Sequence, residues 1–323
     1  SARSRYDEVE WQRRKQEGVA MAVVLVAGGT GFIGSYIVRR LAQDGHRVIV
    51  MSRDPGKARG RVPDGVEVRA GDVTDGATLG PALAGAEVVV CAVQFPNHPV
   101  ENPRRGHTYI RVDGEGTVRL VGAARKAGVS RFVYISGAGT REGQTKPWFR
   151  AKLMAEKAIR ESGIPYTIFR PSWVYGPEDR SLNKFATFAR LLPFVPVIGS
   201  GRTRVQPLYV GDLADAVAAS LRTGAALNRT YDIGGPQELT MDEIIRTMLR
   251  VMGRRRPLLH SPAWLMKAAA WPLQFLPTPP FSPGAVDFVL MEEPVDNGQV
   301  LQDLGLTLTP LERGLSYLRP EPR

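Results

Sequence analysis

In the stretch VVLVAGGTGFIGS, Gly28, Gly31 and Gly34 recur at the spacing GxxGxxG, directly after a β-branched run and at the opening of a helical pattern. That order of strand, glycines and helix is a far stronger signal than the glycine spacing alone. The first glycine permits a tight turn, the second lets main chain approach a diphosphate, and the third allows close packing of helix on strand. Amides at the helix start then face the phosphate oxygens. Gly28, Thr30, Gly31, Phe32, Ile33 and Gly34 are therefore the expected dinucleotide-binding loop. Further on, VIVMSRDP ends a second strand with Ser52 and Arg53, where a site for an unphosphorylated ribose usually has an acidic residue. A guanidinium there can pair with a 2′-phosphate, so NADP(H) is the expected cofactor; Asp54, one residue on, keeps NAD(H) open. Asp72 in RAGDVTD could meet the adenine edge with Val73 against the ring, or could simply hold its own turn. Ala92, near the end of the apolar run AEVVVCAV, completes the expected cofactor set together with Lys152.

Lys152 in KPWFRAK follows Trp148 by one helical turn. A phenol near a cation can act as an acid or base because its pKa moves toward neutrality. An indole N–H can only donate. Tyr175 and Tyr109, then Ser136 and Lys146, are the other candidates for proton transfer, each near an expected strand end or site loop. His98 and His107, in QFPNHPVENPRRGHTY, are expected to be solvent-exposed loop histidines without metal-ligand spacing.

These groups need a frame. Strand-like and helix-like runs alternate from AVVLVAG through HRVIVMS, VEVRAGD, AEVVVCAV and RFVYIS to YTIFRPS. Parallel neighbours require crossover connections, so the alternation predicts an α/β fold with a doubly wound parallel sheet and helices on both faces. After Pro171 the alternation breaks and Pro and Gly become frequent. The expected division is a dinucleotide-binding Rossmann domain of residues 21–171 and 203–234, with a smaller discontinuous C-terminal lobe of 172–202 and 235–323. Residues 1–20 are polar and read as an N-terminal extension, with Met21 leading into the first strand.

A chain of 323 residues is long enough for one large core with a lobe attached. The formal charge is +11, yet the densest basic run, Arg254–Arg256, is three long and lacks interleaved aromatics, which argues against nucleic acid. The single cysteine, Cys91, excludes a disulfide framework within the chain, and its apolar neighbours predict an inert core thiol. The apolar runs fall short of the roughly 20 residues that cross a bilayer, so a cytoplasmic location is expected.

Taken together, GGTGFIG, GDVTD, GVSRFVYIS, AKLMAEKAIRESG, YTIFRPSWVYGP and PLYVGDLADAV resemble the short-chain dehydrogenase/reductase superfamily in its extended or atypical branch. The resemblance runs through most of residues 21–235 and implies a proton-transfer set of Asn, Ser, Tyr and Lys. Carried over by position, Lys152 matches the lysine, which in the family also binds the nicotinamide ribose. Trp148 stands at the tyrosine position, Gly137 at the serine position with Ser136 one place earlier, and Asp113 at the asparagine position. In RPSWVYGP, Trp173 stands where sugar-nucleotide epimerases and dehydratases usually have asparagine, so sugar-nucleotide chemistry is not expected. Two functions follow from the resemblance. One is a nucleotide-binding protein with a degraded proton-transfer set and a structural or sensing cofactor. The other is an active reductase of an apolar carbonyl or alkene, with a catalytic set of Lys152, Tyr175 and Ser136 replacing the missing phenol.

The last third, with LPTPPFSPGAVDFVLMEEPVDN and TPLERGLSYL, is similar to bacterial relatives of the nucleotide-binding accessory subunit of respiratory complex I. That resemblance implies association with a respiratory complex or a peripheral place at the inner face of a membrane. In SPAWLMKAAAWPLQFL, Trp264, Leu265, Ala268, Trp271 and Phe275 fall at near-helical spacing. They are expected to cover a substrate pocket or the lobe core, the alternative being contact with an anionic membrane surface. Asp212 in YVGDLADAV is expected to cap free amides at a helix start.

Overall fold

The computed structural model describes residues 21–273, 283–292 and 294–320. The N-terminal extension, Phe275 and most of FLPTPPFSPG lie outside the described residues. The six runs expected as strands form β1 (Val23–Ala27), β2 (Arg47–Ser52), β3 (Glu67–Ala70), β4 (Val88–Cys91), β5 (Arg131–Ile135) and β6 (Tyr166–Pro171). Beyond β6 come β7 (Val174–Tyr175), β8 (Val195–Ile198), β9 (Arg204–Val205) and β10 (Leu208–Tyr209), before β11 (Arg229–Ile233) joins the main sheet. Two more short strands follow, β12 (Leu239–Thr240) and β13 (Leu258–Ser261).

The main sheet has the order β11-β6-β5-β4-β1-β2-β3, and every pairing in it is parallel. The chain reverses direction across the sheet between β1 and β4, and the crevice outside such a switch point is where doubly wound sheets bind ligands.

Both faces of the sheet are covered at its centre, so the central strands read as nearly continuous apolar runs whose alternate residues enter different cores. Leu25, Ile49, Val89 and Phe132 pack on one side against α3 (Leu79–Leu83), α4 (Glu115–Lys126) and α5 (Pro147–Glu161). Val24, Val26, Val48, Val90 and Val133 pack on the other against α1 (Phe32–Gln43) and α7 (Val210–Arg222). The short α2 (Pro55–Arg59) follows β2, and α6 (Leu182–Leu191) joins α8 (Met241–Val251) in the core of the lobe. The segment around α11 (Gly298–Leu304), expected in the lobe, departs from that division. Val300 and Leu308 pack in the core beneath α7, and Thr309 donates to Asp212 through its amide at 2.6 Å and its hydroxyl at 2.7 Å. Asp212 thus ties the C-terminal tail to α7 instead of capping its own helix.

Trp264, Leu265 and Trp271 lie on α9 (Ala263–Leu273), which with α10 (Pro283–Val289) precedes α11. All three are exposed, while Ala270 is buried, so their expected place in the lobe core is not what forms.

A buried carboxylate joins β5, β6 and α5. Glu156 accepts from Ser136 Oγ at 2.6 Å, from Arg170 at 2.9 and 2.7 Å, and from Arg160 at 2.7 Å. Burial alone would raise its pKa, but Arg170, Ser136 and Arg160 outweigh burial and hold it below the ordinary glutamate value. A depressed folded-state pKa adds stability above the unfolded value that is lost as pH falls through the folded one. Glu156→Ala is expected to cost about 3–5 kcal/mol, because it strands Arg170. Denaturant titrations should show this loss at neutral pH, and a smaller difference between the two proteins in acid.

Candidate functional site

The glycine loop is built by close approach of main chain. Gly28 has φ +83°, and a Cβ there would lie 2.5 Å from the Ala92 carbonyl oxygen at the end of β4. A Cβ on Gly34 would fall on the carbonyl oxygen of Gly28, whose oxygen also accepts from the Gly31 amide at 3.0 Å. Gly31 is the exposed N-cap of α1 and brings no side-chain cap, so the first-turn amides carry their partial positive charge at the mouth of the crevice. Thr30, Phe32 and Ile33 are half-buried around this turn, and Phe32 packs edge-on against Tyr36 with ring centroids 6.0 Å apart. This cradle fits a diphosphate.

One strand over, Arg53 is exposed just past the end of β2. Asp54 is engaged elsewhere: it caps α2 by accepting from the Lys57 amide at 3.1 Å and pairs with Lys57 Nζ at 3.1 Å. Those bonds hold its carboxyl below the ordinary value. Burial pushes the His107 imidazole down, and the charges of Arg53 and Arg105 push it the same way, so these three groups share one region. Asp72 holds its turn, accepting from the Thr74 amide and hydroxyl at 2.8 Å each. Val73 is buried against α4, where Gly116 leaves room for it.

Two strands to the other side, a second group gathers. Lys152 is buried on α5, donates to the Ile135 carbonyl at 3.1 Å, and lies 5.1 Å from the centroid of the Tyr134 ring. Trp148 is buried one turn earlier, its ring centroid 6.0 Å from Tyr109 and 5.8 Å from Phe149. Tyr109 in turn packs on Phe95 at 4.7 Å, and its hydroxyl lies 3.3 Å from His98 Nε2. His98 is half-buried and not solvent-exposed; burial, and then the charge of Lys152, lower its pKa to about 3, so its ring is neutral. Burial pushes the Tyr109 phenol well above its ordinary value.

Asp113 joins this group from a π-helical turn, Tyr109–Gly114, of a kind that is frequent at functional sites. One carboxyl oxygen accepts from the Phe95 amide at 3.1 Å; the other is buried with no hydrogen-bond partner. Burial raises its pKa to about 7 against the opposing pull of Lys152 and the Phe95 amide.

The other expected catalytic residues are engaged in other contacts. Ser136 gives its hydroxyl to Glu156 beneath the site, and an added Cβ at Gly137 would meet nothing within 4 Å. Tyr175 is fully buried in the lobe core, its ring 5.8 Å from that of Tyr209 and its hydroxyl against Gly314. Its strand pairs with β10, and its ring belongs to the core cluster of α6 and α8 and not to the one that holds Trp148. Lys146 pairs with Asp287 at 3.3 Å, and Trp173 donates from its indole nitrogen to Ser181 at 2.7 Å. Cys91 is buried, as expected of a core thiol.

Residues 24–234 match the model of the NAD dependent epimerase/dehydratase family. The chain belongs to this family. Among its relatives is the mitochondrial NADH dehydrogenase [ubiquinone] 1 alpha subcomplex subunit 9 of Arabidopsis thaliana, 30% identical over 269 residues that make up 81% of this chain and 65% of that protein. The chain thus spans just under two thirds of that relative. Ceramide reductase of Caulobacter vibrioides is 32% identical over 245 residues, 75% of this chain and 74% of the relative. The solved structure of Citrobacter sp. triphenylmethane reductase complexed with NADP(H) superposes with a TM-score of 0.71 at 23% identity, covering 91% of this chain and 99% of that one, and shows the shared fold. These relatives place the epimerase/dehydratase-family chain in the atypical branch of the short-chain dehydrogenase/reductase superfamily.

In this family member the cradle makes a direct prediction. Gly34→Ala should abolish measurable dinucleotide binding and lower the Tm, because the new methyl meets main chain that cannot give way; overpacking of this kind costs about 1–3 kcal/mol. Gly60→Ala, where an added Cβ meets nothing within 4 Å, should leave both fluorescence-titrated binding and Tm unchanged.

Proposed function

We propose that the chain binds NADP(H) as a structural or sensing nucleotide and performs no tyrosine-dependent proton transfer. The observation that carries this reading is the buried indole of Trp148, one helical turn before Lys152, where the superfamily pattern has a phenol. An indole cannot exchange a proton near neutral pH. Position 137 has no hydroxyl, and the one at Ser136 is held by Glu156. Lys152 donates one proton to Ile135 and retains two for ribose hydroxyls. A nicotinamide held there would supply hydride chemistry, with the protein supplying binding and orientation. The phosphorylated form is supported by Arg53 beside His107 and Arg105, and by the engagement of Asp54 with α2.

A second reading, reduction of an apolar carbonyl or alkene, draws on one arrangement: Tyr109 and His98 lie in contact beside Trp148 and offer a relocated proton donor. The reductase named among the relatives fits that reading. The relative named as an alpha subcomplex subunit fits the first. Exposed Trp264, Leu265 and Trp271 would suit a peripheral place on an anionic membrane or a membrane-bound complex. Among the described residues no helix is long and apolar enough to cross a membrane.

Mass identification of nucleotide retained through purification, with titration by NADPH and NADH, tests the first reading. Tight, slowly exchanging NADP(H) is the expected result; micromolar, rapidly exchanging NADPH would favour a cosubstrate. Arg53→Ala should weaken NADPH by roughly 10–100-fold, the worth of a charged hydrogen bond, while NADH is little affected. Trp148→Tyr should create or strongly raise turnover if the native site lacks a phenol. High native activity that Trp148→Tyr leaves unchanged and Tyr109→Phe removes would instead establish the second reading.

A further inference from the structure

The ends of β2, β1, β4 and β5 lie in that order across the sheet. Arg53 marks the first, the glycine cradle the second, and Asp113 with Lys152 the last two, since Asp113 is bonded to Phe95 beyond β4 and Lys152 to Ile135 of β5. A dinucleotide with its 2′-phosphate at Arg53 and its diphosphate on the cradle therefore has its nicotinamide half over Asp113. We propose that the charge on Asp113 determines whether the site prefers the oxidised or the reduced nucleotide. This rests on the proposed nucleotide reading and adds to it what the site senses.

The argument is electrostatic. An oxidised nicotinamide ring carries a positive charge and a reduced one does not. A buried carboxylate at this end of the crevice, with one oxygen engaged by an amide and the other unpartnered, interacts through a poorly screening interior with that charge. Ionised Asp113 thus favours the oxidised form, and protonated Asp113 gives up that preference. The superfamily's asparagine at this position has no such charge to gain or lose.

The surroundings leave Asp113 as the group that changes charge near neutral pH. Lys152 faces it from α5, and Glu101, which accepts from the Tyr109 amide at 2.8 Å, faces it from the preceding loop. Cys91 of β4, Tyr134 of β5 and Tyr109 of the same turn are all pushed up by burial. His98 is pushed down to about 3. Asp113 is raised to about 7. Preferential binding of the oxidised form to the carboxylate requires, by linkage, that this binding release protons and that relative affinity for it rise with pH.

The test is to measure Kd for NADP⁺ and NADPH from pH 6 to pH 8 on the native protein and on Asp113→Asn. Using the ratio cancels ionisation of the 2′-phosphate, which both forms share. In the native protein the preference for NADP⁺ should rise about fivefold over this range, the part of a one-unit change in a carboxyl pKa near 7 that falls between pH 6 and pH 8. In Asp113→Asn, which keeps an oxygen for the Phe95 amide, the ratio should be flat. Calorimetry in buffers of different ionisation enthalpy should also show the native protein releasing a fraction of a proton at pH 7 with NADP⁺ and less with NADPH; this needs no variant to fold. A flat ratio in the native protein, or an equal rise in Asp113→Asn, overturns the proposal while leaving nucleotide binding in place. Failure to bind either nucleotide overturns the nucleotide reading and this proposal with it.

Discussion

The cleft depends on how closely three stretches of main chain approach one another at the carboxyl ends of β1 and β4. Gly28, Gly34 and Ala92 meet at distances that leave no volume for a side chain at either glycine. This contact seats α1 on the sheet, opens its uncapped first turn toward the switch point, and sets the separation between the Arg53 end and the Lys152 end of the crevice. A side chain at either glycine would push α1 off β1, and the amides that face a diphosphate would move with it.

Around that contact the molecule uses charge in two different ways. Glu156 is fully buried yet fully engaged, with two arginines and a hydroxyl surrounding it, and it holds β5, β6 and α5 in register. Asp113 is equally buried but has one oxygen without a partner. The arginines keep the first carboxylate ionised below its ordinary range, whereas burial moves the second toward neutrality. Two acidic groups on the same side of the sheet thereby acquire a structural and a titratable character from their surroundings alone.

Much of the frame could be read from the residues. The central strands β1, β2, β4 and β5 are nearly continuous apolar runs because both faces of the sheet are covered there, and their boundaries fall close to the runs themselves. The place of Trp148 one turn before Lys152 is equally plain, because helical spacing fixes that position on one face. Less was legible where a residue's role depends on distant chain. Tyr175 lies at a strand end like many catalytic tyrosines, but pairing with β10 carries it into the lobe. His98 lies in a proline-rich loop that reads as exposed, but Phe95 and Tyr109 close around it. The segment after Gly298 reads as lobe, but its apolar residues find the core under α7.

Local rules, namely the period of apolar residues, the freedom of glycine and the shift of a strand into a helix, act within a few residues. The amino-acid sequence by itself therefore determined the parallel sheet, the glycine loop at the start of α1 and the tryptophan one turn before Lys152. Which polar groups share the second half of the cleft was decided only by tertiary structure. Asp113, Tyr109, His98 and Lys152 come from a π-helical turn, a loop and a helix, and they meet only because the core packs those segments against the ends of β4 and β5. The protonation of Asp113, Tyr109 and His98 follows from that burial, which no spacing along the chain encodes.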